Sequence, residues 1–333
     1  MSKQFSGPVA AVVLSLVVAT VADSNYWLYV MAIAVTFAIL SVGLNLVMGY
    51  TGLVSVAHGA FFGLGAYGFV LCSERGLHPV LAAVVGILVA GVGGVLLGSL
   101  TLRLSGHYFA ISSLAFAVVV MLVLDRWADL THGARGLTKV PEMPAWEAGG
   151  LRIDLAMPSH ALVAVTVILA LCQIGVAALV RSPFGRALTA IRASELLAAS
   201  FGVALVRTKL IGLVLSAGIA GMAGILYVLQ VRFFVPADAG FTVGFYAVMY
   251  VAVGGMGTIW GPVVGAIVLR VAPEYLRTFD ELRMLILGIV LILMIKFAPR
   301  GLVGMASAAW RRVRRRDVTA TADVSVAAGG RPS

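Results

Sequence analysis

Residues 79–102 read PVLAAVVGILVAGVGGVLLGSLTL and carry no charge. Comparable apolar runs fall at about 8–22, 26–47, 52–71, 106–124, 160–180, 209–231 and 283–298. A hydrocarbon layer about 30 Å thick is crossed by roughly 20 helical residues. No water reaches the backbone there, so each run must satisfy its own amides and carbonyls, which a helix does. The stretch 243–273 is too long for one crossing and is interrupted by Gly254, Gly255, Gly257, Gly261 and Pro262. It reads as two short or broken helices, near 243–256 and 261–273. The expectation is an all-α, polytopic membrane helical bundle of about ten membrane segments. Composition agrees: 11% of the residues are charged, where a soluble domain carries about 25%.

Charge sets the orientation. With the N-terminus inside, the inner loops and tail hold 15 of the 24 cations and 3 of the 14 acids, a net +12 inside against −2 outside. Positive charge collects on the cytoplasmic side of membrane proteins, so both termini are expected in the cytoplasm. Reading 243–273 as one crossing would break this parity. The net charge of +10 is thus explained by topology, and nucleic acid is not an expected partner. The membrane domain is placed at 1–305, with residues 8–22 read as a retained helix rather than a cleaved leader. The outer loop 125–158 is either an ordered surface loop or a docking surface for an extracytoplasmic partner. The tail 306–333 begins with the basic run Arg311 to Arg316, an anchor at anionic lipid, and then turns to a composition expected to be disordered.

Several chemistries are missing. There is no G-x-x-x-x-G-K-[ST] phosphate loop, so no nucleotide is expected on this chain, and no other cofactor is indicated. The histidines lack metal spacing, and Cys72 and Cys172 sit in or beside apolar runs with no framework to join. No cluster of reactive polar residues suggests an enzyme. His58 is read as the clear ionisable group inside a membrane segment. Asp125, Glu274, Asp280 and Glu281 are read near the outer face, which weakens an ion-coupled carrier, since coupling sites place titratable groups at mid-membrane.

Two regions are rich in closely spaced small residues: GLNLVMGYTGLVS at 43–55 with HGAFFGLGAY at 58–67, and GGMGTIWGP at 254–262. Broken membrane helices expose backbone groups where these line a cavity or are buried in protein. Tight helix packing needs the same glycines. Asn45, His58, Tyr108, Gly254, Gly255 and Gly257 are the candidate translocation-path residues.

Residues 181–209 form a long polar interruption with one acid, Glu195. Ser182 suits a helix N-cap and Pro183 its first turn. Phe184, Ala187, Leu188 and Ile191 then follow helical spacing, giving one apolar face. A second short helix from Glu195 ends at Gly202. The pair either lies on the lipid surface or is held by a cytoplasmic protein.

These blocks, with GHYFAISSLAF at 106–116, LTHGARGL at 130–137, SPFGRALTAIR at 182–192 and PRGLVG at 299–304, run in an order that resembles the permease subunits of branched-chain amino-acid ABC importers, of the LivM type. The resemblance implies an importer in the bacterial inner membrane. Its expected partners are cytoplasmic ATPase subunits, a second, LivH-like permease and a periplasmic substrate-binding protein. ATP would be hydrolysed on partner chains and alternating access would move branched-chain or related amino acids inward. The same kind of importer for urea, an amide or an aromatic acid is the alternative, and an ion-coupled secondary transporter a more distant one. The resemblance further implies that residues 181–209 couple to the ATPase. Phe184, Gly185, Arg186, Ile191, Arg192, Glu195, Ala199 and Gly202 are the expected coupling residues. ELLAASFG at 195–202 keeps the acid, the alanine pair and the glycine of the family's coupling motif, offset by one residue.

Overall fold

A computed structural model describes residues 24–103, 106–142, 146–148, 151–153, 157–276, 288–289 and 301–305. The segment expected at 8–22, most of 283–298 and the tail 306–333 lie outside the described residues. Eleven α-helices are described: α1 (Asn25–Met48), α2 (His58–Glu74), α3 (Pro79–Thr101), α4 (His107–Arg126), α5 (Ala128–Thr131), α6 (Pro158–Arg181), α7 (Pro183–Ala193), α8 (Glu195–Ser200), α9 (Leu205–Val231), α10 (Phe241–Gly254) and α11 (Gly261–Tyr275). Five of them, α1, α3, α4, α6 and α9, are long and apolar enough to cross a membrane.

The expected all-α class is borne out, with one small local exception. Residues Trp146–Ala148 (β1) and Leu151–Ile153 (β2) pair antiparallel, with Trp146 opposite Ile153. They lie in the loop between α4 and α6. A correction concerns the run at 52–71. The helix starts only at His58, and 52–57 is not helical. Gly52, at φ 82°, takes the left-handed conformation that ends the preceding helical turn. The freed amide of Val56 is bonded by Ser113 Oγ of α4 at 3.0 Å. The division of 243–273 into two helices is seen, as α10 and α11.

Helix α1 is apolar all round and is buried along nearly its whole length. It packs against α6, α9, α10 and α11. By contrast α4 leaves Ile111, Val119, Leu122 and Val123 exposed. Contacts climb together along α2 and α9, His58 meeting Ser216 and Phe62 meeting Gly224, so these two run in one sense. Helix α1 runs against α9: Gly43 meets Ser216 while Thr36 accepts a bond from Gln230 at 2.8 Å. Helices α10 and α11 form an antiparallel pair, with Gly254 against Gly261 and Tyr250 against Gly265.

The bundle therefore has two distinct ends. One gathers the end of α1, the turn 255–260 and helices α7 and α8. The other gathers the outer loop and the link from α9 to α10. At that second end Leu137 and Phe234 exchange both backbone hydrogen bonds, at 2.8 and 3.1 Å. Phe234 is fully buried among Phe62, Tyr67 and Tyr227. The loop from α4 is thereby stitched onto the bundle.

Candidate functional site

At the first end, α1 finishes at Met48 and Asn45 lies within its last turn, 2% exposed. Its Nδ2 donates to the Thr258 carbonyl at 2.9 Å, and its Oδ1 accepts from the Gly257 amide at 2.9 Å. One side chain therefore satisfies both a donor and an acceptor of the irregular turn 255–260. Thr258 completes that turn, donating to the Gly255 carbonyl at 2.8 Å and accepting from the Gly261 amide at 2.9 Å. Gly255, at φ 127°, is packed directly by the backbone of Gly301. Replacing Asn45 with Ala strands the half-buried Gly257 amide and Thr258 carbonyl, at about 1–2 kcal/mol each. A total loss of about 2–4 kcal/mol is expected, read as a lowered melting temperature of the purified, detergent-solubilised protein. Unchanged melting would remove the clamp from this account.

The polar interruption folds against this clamp. Ser182 caps α7, its Oγ accepting from the Gly185 amide at 3.4 Å, and Pro183 begins the helix. Gly185, Leu188 and Ile191 are buried, and Phe184 packs against the core. Arg192 donates to the carbonyl of Gly49, at the end of α1. A guanidinium there meets both an orphan carbonyl and the negative end of the helix. Burial pushes the neighbouring Tyr50 hydroxyl up, against a smaller opposing pull from Arg192. Ser194 caps α8, accepting from the Leu197 amide at 3.3 Å. Glu195 pairs with Lys209 at the base of α9, 2.7 Å apart, with the Lys209 side chain only 3% exposed. Losing Glu195 would leave that ammonium buried without a counter-ion.

The remaining path candidates stand elsewhere. His58 is fully buried. Ser216 Oγ donates to the Gly43 carbonyl at 2.5 Å, so its oxygen must accept from His58 Nε2 at 2.6 Å. His58 Nδ1 then accepts from Ser55 Oγ at 3.2 Å. Nε2 thus ties α2 to α9 and, through Ser216, to α1, while Nδ1 is used by the segment that leads into α2. Tyr108 is 69% exposed in the first turn of α4. The structure thus joins Asn45, Gly255 and Gly257 with Arg192, and does not bring His58 or Tyr108 to them.

Residues 26–295 match the family described as "Branched-chain amino acid transport system / permease component". The chain belongs to that family of permeases. It is similar to the high-affinity branched-chain amino acid transport system permease protein LivM of Escherichia coli K12, 33% identical over 288 residues, which are 81% of this chain and 68% of the relative. It is also similar to LivH of the same organism, at 25% identity over 81% of this chain and 91% of the relative. BraD of Pseudomonas aeruginosa is 24% identical over 81% of this chain and 92% of its own. No solved structure matches.

In this permease α8 and its C-cap turn apolar side chains away from the bundle. Leu196 is 82% exposed, Leu197 60% and Phe201 86%. Arg186 and Ala199 are exposed beside them. Sequence spacing pointed to Gly185 and Ile191, which face inward. It passed over Leu196, Leu197 and Phe201. Their signal was present: Leu197 and Phe201 are four apart, on one face of a helical turn.

Proposed function

We propose that this permease is the membrane-spanning subunit of an ATP-binding-cassette importer that moves branched-chain amino acids into the cell. Separate ATPase subunits bind and hydrolyse ATP, and alternating access carries the solute between the two sides of the inner membrane. A second, LivH-like permease completes the pathway, and a periplasmic binding protein delivers the substrate to the end that carries the outer loop. Both termini lie in the cytoplasm, and the chain crosses with about ten membrane segments.

One observation carries this reading: an exposed apolar tip, Leu196, Leu197 and Phe201, stands on a base fixed to the bundle at two points. Arg192 holds the end of α1 and Glu195 holds the base of α9. A surface helix that merely rested on lipid would need neither tie. Through Gly49 and Asn45 the base also meets the turn between α10 and α11. Movement of an ATPase gripping the tip would therefore reach at least four bundle helices.

The test is uptake by the complete assembly in proteoliposomes. Leucine, isoleucine and valine should enter only with ATP and loaded binding protein. Uptake by this chain alone under an ion gradient would overturn the reading. Uptake confined to urea, amides or aromatic acids would keep the mechanism and replace the substrate.

A further inference from the structure

The opposite half of the bundle holds a cavity of about 570 Å³ between α1, α9, α10 and α11. Sites for small molecules occupy roughly 300–1,000 Å³ and combine apolar walls with a few polar groups. Val30, Ile33, Met249 and Leu269 supply the apolar wall here. Arg270 and Glu274, one turn apart on α11, supply opposite charges. Arg270 is roughly 14 Å along α11 from Gly261 at 1.5 Å per residue. It lies against Phe37, midway along α1, which is long enough to cross a membrane.

A cation at this depth is costly and normally has an anionic partner or a function. Among the described residues no carboxylate pairs with Arg270. Its guanidinium lies over the Phe37 ring, 4.7 Å from the centroid, and lines the cavity with Tyr250. Both neighbours are neutral, so a full positive charge faces the cavity. An arginine fork matches a carboxylate with two parallel hydrogen bonds. Glu274, which accepts from the Tyr26 hydroxyl, lines the same cavity.

We infer that this cavity binds an amino acid with an apolar side chain, its α-carboxylate on Arg270. The permease then selects its solute itself, in addition to any selection by a binding protein. This rests on the amino-acid import reading above.

The experiment uses the assembled transporter without binding protein. Cys72 and Cys172 are replaced by Ser, and Met249→Cys places a single thiol in the cavity wall. The labelling rate with a small charged maleimide is measured with and without solute. Leucine at ten times its Kd should slow labelling about tenfold, by the factor 1 + [L]/Kd. Leucinamide, which lacks the carboxylate, should give no protection. Arg270→Gln should abolish leucine protection, each variant being compared with its own rate without leucine, and Arg270→Lys should restore part of it. Equal protection by leucine and leucinamide, or none by either, would overturn the inference, and this wild-type comparison holds even if the Arg270 variants fail to fold. If protection is absent while the assembly still imports leucine, the import reading stands. If leucine protects but is not imported, only the import reading falls.

Discussion

Replacing both Leu196 and Phe201 with Asp is expected to release the ATPase subunits while leaving a folded permease in the membrane. The two side chains are 82% and 86% exposed, so neither contributes to the bundle. Their burial under a partner would be the main apolar gain of the contact. Central apolar anchors at protein interfaces cost about 2 kcal/mol or more when lost, which is close to a thirtyfold weakening for each. Two introduced carboxylates add desolvation to that loss. Co-purification of the ATPase with the tagged permease should fall below detection, and ATP-driven uptake with it. The melting temperature of the permease should not move. Undiminished co-purification would show that the tip rests on lipid or is unoccupied.

The contrasting substitution is Gly185→Asp. Its position invites reading as a docking residue, yet a Cβ there would collide with the backbone of Val180 at the end of α6. This variant should lose stability and ATPase binding together. Comparing it with the tip variant separates what holds the handle up from what the handle presents.

This contrast shows where the sequence was legible. Ser182 and Pro183 mark the start of α7 because capping is local chemistry, visible in four consecutive residues. The break after Gly254 was legible for the same reason. The apolar runs at 26–47, 79–102, 106–124, 160–180 and 209–231 announce helices, and those helices are there. What escaped is non-local. Nothing in spacing says that Lys209, read as one more cytoplasmic charge, pairs with Glu195, or that Arg192 reaches Gly49, 143 positions away. The inward face of α7 was recognised as apolar, but apolarity alone does not say whether a face meets its own bundle or a partner. Arg270 is a different case. It stands inside an apolar run, so its signal was present and was passed over. Its meaning depends on a cavity formed by three other helices, which no local pattern reports.

Gly224→Val should unfold the bundle at the close crossing of α2 and α9. A Cβ at Gly224 would overlap the carbonyl oxygen of Phe62, and one at Gly65 would overlap the backbone of Gly221. Helices α2 and α9 therefore touch backbone to backbone. In a membrane no hydrophobic force draws helices together, so close packing between small residues supplies much of the association. A carbonyl of a helix cannot step aside as a flexible side chain would. The two helices would have to separate, breaking the His58–Ser216 and Thr36–Gln230 bonds that hold α9 to α2 and α1. Overpacking a core costs about 1–3 kcal/mol when side chains can adjust, and a larger loss is expected against fixed backbone. The soluble, monodisperse yield in detergent should collapse, or the melting temperature drop sharply. Gly175→Ala is the control: it is also a helix glycine, nothing lies within 4 Å of its added Cβ, and it should match or slightly exceed the parent. Equal behaviour of the two variants would mean that α2 and α9 do not meet through their backbones, and the packing of the bundle around α1 would need to be redrawn.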